Sequence, residues 1–403
     1  LGRPREKLSP YAPRFIIVKV NPDKIGAVAG GLATAEEMFA FKDLMSRLGV
    51  KSVDCREDGS PLHPSFGRAS YLFNPTIAGI ENADAILVVG ANPRWDAAVL
   101  NARIRKAWVH NGAKVGLIGE RVDLTYPYTY VGAGPSSLAD LGSFGEVLQA
   151  AERPMIIVGP AALTGENAAA VLGTVAQLAT DVGAVKDGWN GFAVLHTAAS
   201  RVGGLDVGCV PDRGGKAAPE IFAAARAGEI GTLFLLGSDE FDSTGLDAPF
   251  VVYIGTHGDR GAHIADVILP GAAYTEKSGT LVNLEGRAQR LSRAAFAPGE
   301  AREDWAILRA LSDTLGHKLP FDSLAQLRAK LYEAHPHFAR IDQIEPGAPG
   351  DVAALAKKGG KTDKSAFASP VKDFYLTNPI ARASAVMAEC SSLARNGFAQ
   401  AAE

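Results

Sequence analysis

Six short apolar runs that each end in glycine constrain the fold of this chain most. They are KIGAVAG (24–30), AILVVG (85–90), KVGLIG (114–119), PMIIVG (154–159), TLFLLG (232–237) and FVVYIG (250–255). None alternates polar with apolar residues, so each reads as a strand covered on both faces, the signature of a parallel sheet. Turn and helix signals follow them. After AILVVG comes the turn ANPR, then WDAAVLNARIRKAWVHNG, with Trp95, Val99, Ile104 and Trp108 at broadly helical spacing and Asn111-Gly112 as the stop. PMIIVG leads through PAALTGEN into AAAVLGTVAQLATDVG, while TLFLLG and FVVYIG lead into SDEFDSTG and THGDRGAH. Thr34 and Glu37 form a Thr-x-x-Glu capping box ahead of AEEMFAFKDLMSRLG. The expected fold class is α/β: doubly wound, largely parallel sheets with helices on both faces and the functional edge at the strand C-termini.

Two such sheets are expected, dividing near residue 150. Residues 24–150 would form a first α/β lobe and 151–300 a second, after an irregular start over 1–23 that reads as trimmed. Beyond 300 the character changes. EDWAILRALSDTLG and DSLAQLRAKLYEAH are amphipathic helices within a segment 301–342. QIEPGAPG and KKGGKTDKSAFASP mark a linker over 343–370. A last helix is expected within 371–403, with Ile380, Ala383, Met387 and Cys390 on one stripe.

Composition narrows the chemistry. With 403 residues, 21% charged, and a formal net charge of −3, nothing draws the chain electrostatically to nucleic acid or an anionic membrane. No apolar run approaches the roughly 20 residues that span a bilayer, so no direct membrane insertion is expected. FIIVKV (15–20) is too short and lacks a signal peptide's cleavage pattern. The three cysteines, Cys55, Cys209 and Cys390, lie far apart in sequence and none is in a CxxC pair. They read as single thiols in a reducing compartment, too few and too scattered for a cluster, a zinc site or a disulfide framework. The eight histidines form no HExxH motif, and His335 and His337, which flank Pro336 near an expected helix end, read as solvated. No metal ligand and no catalytic residue is therefore expected.

Two stretches could still meet a ligand. GANPRWD offers Gly90 and Asn92 ahead of a helix N-terminus, but Asp96 can cap that turn and occupy its favourable electrostatic position. ADVILPGAAYTEKSGTLVNLEGRAQ (265–289) opens from an apolar strand into a polar loop with Glu276, Lys277, Asn283, Glu285 and Arg287. There Glu285 and Arg287 can pair internally and Asn283 can fix a turn. No GxGxxG or GxxxxGK[ST] motif is present, which argues against a dinucleotide or P-loop site. No His or Cys adjoins the loop to serve a hydrolase.

That last stretch strongly resembles a signature shared by molybdopterin-dependent oxidoreductases and the large iron–sulfur chain of respiratory complex I. GANPRWDAAVLNARIRKAW, KVGLIGERVDLTY, HTAASRVGGLDVG, AREDWAILRALSDTLG and KDFYLTNPIARASAVMAEC resemble the complex I branch, and the likeness runs from about Lys24 to Cys390. The resemblance implies a formate-dehydrogenase-like domain that has lost its molybdenum cofactor. In full-length members it follows an N-terminal region carrying one 2Fe-2S and two 4Fe-4S clusters, whose cysteine motifs have no counterpart here. It further implies a vestigial pterin cleft at Gly90, Asn92, Pro93, Arg94, Glu276, Lys277, Gly279, Asn283, Glu285, Gly286 and Arg287. No cofactor is expected in this chain. Its expected partners are its own iron–sulfur region and other hydrophilic-arm subunits, with no nucleic acid. Its expected place is peripheral to the inner membrane, on the cytoplasmic or matrix side. An independent molybdopterin oxidoreductase of formate-dehydrogenase type and a small-anion binder are the other readings.

Overall fold

The computed structural model describes residues 20–396; the expected irregular start up to residue 19, and the chain beyond 396, lie outside the described residues. The strands are β1 (Ile25–Ala29), β2 (Ser52–Asp54), β3 (Ala85–Val89), β4 (Lys114–Ile118), β5 (Thr129–Gly132), β6 (Pro154–Val158) and β7 (Val185–Lys186). They continue with β8 (Trp189–Asn190), β9 (Phe192–Val194), β10 (Thr232–Leu236), β11 (Phe250–Gly255), β12 (Val267–Pro270), β13 (Gly279–Val282) and β14 (Ala288–Leu291). The helices are α1 (Ala35–Arg47), α2 (Pro93–Asp96), α3 (Ala98–Asn111), α4 (Ser143–Ala150), α5 (Ala168–Asp181), α6 (Arg201–Asp206) and α7 (Ala218–Arg226). After them come α8 (Arg260–Ile264), α9 (Asp304–Thr314), α10 (Leu324–Ala334), α11 (Gly350–Ala356), α12 (Pro379–Arg382) and α13 (Ala385–Asn396). All six glycine-ended runs are strands, and β1, β3, β6 and β10 are buried at every residue.

The chain divides into two compact units, but not at residue 150. The first comprises residues 1–57, 207–281 and 290–339, the second 58–206, 282–289 and 340–403. The expected lobes 24–150 and 151–300 are corrected by strand pairing: β1 lies beside β10, and β3 beside β6, all parallel. A strand's own sequence specifies burial, not which distant strand it joins, so sequence order misplaced the boundary.

In the first unit the parallel sheet runs β12-β11-β10-β1-β2. Its core gathers Val28, Ile221, Leu233, Leu235, Val251 and Tyr253. Thr34 caps α1 with both halves of the capping box formed. Helix α9 packs on α1, and α10 contacts it as well. Both of these helices after residue 300 lie within this unit.

In the second unit the parallel sheet runs β5-β4-β3-β6-β9. Ile86, Val88, Ile104, Leu117 and Ile157 centre its core. Gly112, at φ 68°, ends α3 in the left-handed conformation that glycine adopts without strain. The linker expected over 343–370 is corrected in its middle. Residues 350–356 form α11, which packs along α5 with Val352 and Leu355 buried. The approach is close where the chain leaves α11: a Cβ on Gly173 would lie 2.7 Å from the Gly359 nitrogen. Pro and Gly around this helix advertise a linker, yet two buried aliphatics suffice to dock it. The last helix is broken in two, because Ser384 caps α13 through its carbonyl and hydroxyl, accepting from Ala388 N and Met387 N.

Candidate functional site

The capping box that starts α1 also aims two acids inward. Glu36 and Glu37 stand in its first turn, at 0% and 1% exposure. One oxygen of Glu37 accepts Thr34 N at 2.8 Å and the Lys277 Nζ at 2.8 Å. Lys277 also reaches Asp304 Oδ2, the first residue of α9, at 3.2 Å. Glu36 accepts Thr280 N at 2.7 Å, Thr280 Oγ1 at 2.9 Å and Arg328 Nε at 2.8 Å. Glu276 closes its own turn by accepting Ala273 N at 3.0 Å. Gly279 lies so near the cap that a Cβ would be 2.3 Å from Thr34 Cγ2. Residues 276–280 are therefore held by fixed partners of the first unit, not presented to an open space.

Two carboxylates share one ammonium in a dry place, so the last carboxylate resists ionising. Burial, opposed by Lys277 and reinforced by Glu37, pushes Asp304 up to about 7. Burial pulls Lys277 down, but Asp304 and Glu37 outweigh it and hold the ammonium above its ordinary range. The folded protein thus holds a proton on Asp304 that the unfolded chain releases near the usual 3.8. That contribution is full below 3.8 and is lost as pH rises through about 7. Asp304→Asn should remove the slope, worth at most ~1.4 kcal/mol per pH unit. The variant should gain on the parent between about pH 4 and about pH 7 in denaturant midpoints; two parallel pH profiles would refute the assignment.

In the second unit the hairpin loop 282–289 is likewise closed on itself. Asn283 Oδ1 accepts Glu285 N at 3.2 Å and Arg287 N at 3.0 Å, while Gly286, at φ 85°, makes the reversal. Glu285 Oε1 meets Arg287 Nη2 at 3.1 Å, and its other oxygen accepts Ile77 N at 2.9 Å. Arg287 Nη1 donates to the Asp342 carbonyl at 2.5 Å. The internal ion pair and the Asn283 turn expected from sequence both form. Sequence reasoning missed Asp206, which receives Arg68 through Nε at 2.9 Å and Nη2 at 2.7 Å, and Tyr71 Oη at 2.9 Å. Arg68 also donates to the carbonyls of Glu345 and Gly286.

Ligands of open α/β sheets sit where strand order reverses, outside the carboxyl ends of the strands. In the second unit that point lies between β3 and β6. A Cβ on Gly90 would be 2.5 Å from Ala162 N, and one on Gly159 would be 2.2 Å from Ala91 Cβ. Ala161 N donates to Gly90 O at 2.9 Å across the two turns. Pro93 is buried at the start of the four-residue α2. Asp96 caps it by accepting Asn92 N at 2.8 Å, and burial raises that carboxyl. Arg94 turns outward to Asp123 at 2.7 Å. Asn92 Oδ1 is buried without a partner. In the first unit the reversal lies between β1 and β10, where a Cβ on Gly30 would be 1.8 Å from Gly237 O. Beside it Glu57 receives the Ser238 hydroxyl, and burial together with Glu240 raises its carboxyl well above the ordinary range. Sequence offered little signal for Glu57, since an acid after a strand usually reads as solvated.

A metallo-pterin requires an open crevice, a metal ligand and several donors aimed at the ring system. At each strand reversal the glycine turns pack closely against one another, and Asn92 Oδ1 is a buried acceptor without a partner. Among the described residues no group of three or more His, Cys, Asp or Glu side chains could hold a metal. Cys55 and Cys209 are free, buried thiols, and the backbone hydrogen bond between them brings together two cysteines that are far apart in sequence.

Comparison with known proteins agrees with this architecture. A family model described as molybdopterin oxidoreductase matches residues 12–314, and one for the C-terminal part of a large NADH-ubiquinone oxidoreductase chain matches 343–390. The chain is 41% identical over 405 residues to the mitochondrial NADH-ubiquinone oxidoreductase 78 kDa subunit of Neurospora crassa, covering 97% of this chain and 53% of that protein. To the mitochondrial NADH dehydrogenase [ubiquinone] iron-sulfur protein 1 of Solanum tuberosum it is 37% identical, over 94% and 50%. It spans about half the length of these relatives. Its fold is similar to acetylene hydratase from Pelobacter acetylenicus, with a TM-score of 0.56 at 12% identity over 82% of this chain and 60% of that one. A formyltransferase/hydrolase complex chain from Methylorubrum extorquens also gives a TM-score of 0.56, at 16% identity over 75% and 94%. With three quarters of its length matched by one family model and its parallel sheets shared with these structures, the chain belongs to the molybdopterin oxidoreductase family.

Proposed function

We propose that this chain is the cofactor-free C-terminal body of the large iron–sulfur subunit of an NADH:ubiquinone oxidoreductase, respiratory complex I. It works by holding shape. Electrons pass between clusters of the iron–sulfur region, one 2Fe-2S and two 4Fe-4S in full-length members by family resemblance. Transfer falls steeply with distance, so a rigid support protects the rate without carrying charge. Its partners are that iron–sulfur region and other hydrophilic-arm subunits, and its place is peripheral to the inner membrane. No helix among the described residues is long and apolar enough to cross a membrane, which suits that place.

The observation that carries the reading is the chain's similarity along nearly its whole length to complex I subunits, and the close packing of glycine turns at both strand reversals supports it. The same similarity disfavours an independent molybdopterin oxidoreductase. Weakening the body, for example by Lys277→Met, should lower the amount of assembled complex in membranes while leaving NADH:quinone turnover per assembled complex unchanged. A fall in turnover with assembly intact would contradict a supporting role.

A further inference from the structure

The chain leaves the first unit after residue 57 and re-enters it at residue 207. Cys55 stands just before the first crossing and Cys209 just after the second. We propose that these two thiols are a redox pair that closes to a disulfide across the neck of the 58–206 excursion when a hydroperoxide oxidises them. The pair is preformed: Cys55 N donates to Cys209 O at 2.9 Å, both thiols are buried, and Cys55 is near enough to push the Cys209 thiol up. A direct backbone hydrogen bond between the two residues brings them into the neighbourhood that a disulfide must span. The segment carrying Cys209 is fixed beside β2 by independent contacts. Lys42 Nζ donates to Val210 O at 3.0 Å, Asp212 N to Lys51 O at 3.0 Å, and Ala218 N to Asp54 Oδ2 at 3.0 Å. Cys390, the remaining cysteine, belongs to the second unit.

The chemistry balances with one hydroperoxide. The Cys55 sulfur attacks the outer peroxide oxygen, the O–O bond breaks, and the alcohol leaves with the thiol proton, giving a sulfenic acid. The Cys209 sulfur then displaces the hydroxyl, which departs with the Cys209 proton as water, and the S–S bond forms. Two thiols are oxidised and one peroxide is reduced. The Cys209 thiol is held above its ordinary range by Cys55 and by burial, which suits the second role, in which it stays protonated until the sulfenic acid is present. Both thiols are nearly inaccessible, at 2% and 0% exposure, so the hydroperoxide reaches them through transient local opening of the segments that cover them. The disulfide constrains the unfolded chain through a long loop.

The test exposes the reduced chain to hydrogen peroxide under native conditions, blocks remaining thiols with N-ethylmaleimide and analyses proteolytic peptides by mass spectrometry. The expected result is a cross-linked pair containing Cys55 and Cys209, lighter by two hydrogen atoms, with Cys390 alkylated, and full reversal by dithiothreitol. The oxidised chain should melt several degrees above the reduced one. In Cys209→Ser the cross-link should vanish and Cys55 should be captured as a sulfenic acid by dimedone. Recovery of all three cysteines alkylated, pairing through Cys390, or a variant that shows no sulfenic acid at Cys55 would each overturn the proposal.

Discussion

Replacing Lys277 by methionine is expected to destabilise the first unit by about 3–5 kcal/mol, because it removes the one ammonium that two buried acids, Glu37 and Asp304, share. The Lys277 side chain is only 5% exposed, and Glu37 and Asp304 are 2% and 7%. Water cannot replace the lost cation without opening the contact between α1 and α9. Methionine fills much of the lysine volume, so the loss reports charge more than a cavity. Two controls separate this from general damage. The deficit should shrink at about pH 5, where Asp304, pushed up to about 7 by burial, carries its proton and adds no penalty. Adding Asp304→Asn to the lysine variant should recover part of it, since one of the two charges is then gone. Denaturant unfolding at both pH values reads the effect; a deficit under 1 kcal/mol at neutral pH would mean water already screens the trio.

Asp206→Ala should cost the second unit a similar ~3–5 kcal/mol. Asp206 ends α6, where a helix's carbonyl dipoles disfavour a negative charge. Its position is tolerated because the Arg68 guanidinium grips it with two hydrogen bonds and Tyr71 adds a third. The Arg68 side chain is 14% exposed and that of Asp206 1%. Alanine leaves the guanidinium facing a void and the Tyr71 hydroxyl short of an acceptor. Asp206→Asn retains the shape and one acceptor, so it should fall between parent and alanine. Thermal melts of the three proteins check the order; an asparagine variant as damaged as alanine would assign the loss to ion pairing alone.

Much of this was readable in the sequence because it is written locally. A glycine-ended run of Val, Ile and Leu has few fates other than a buried parallel strand, and Thr34 with Glu37 spells a helix start. Asn283, Glu285 and Arg287 are close enough in sequence to satisfy one another, and they do. What escaped is non-local. Nothing in PMIIVG says that its neighbour is AILVVG, so a chain that leaves a sheet at residue 57 and returns at 207 reads as two successive lobes. Glu36 and Glu37 look like solvated acids favouring a helix dipole, because their partners Thr280, Arg328 and Lys277 lie more than two hundred residues away. The contact between Cys55 and Cys209 and the docking of α11 were hidden for the same reason.

The central proposal is that this chain, although of molybdopterin-oxidoreductase fold, holds no redox centre. It is tested most directly by elemental and pterin analysis of the chain purified from a molybdenum-replete host competent in pterin synthesis. The account predicts molybdenum, tungsten, iron and pterin each far below one per chain. A stoichiometric metallo-pterin, lost when Asn92 or Lys277 is replaced, would contradict it.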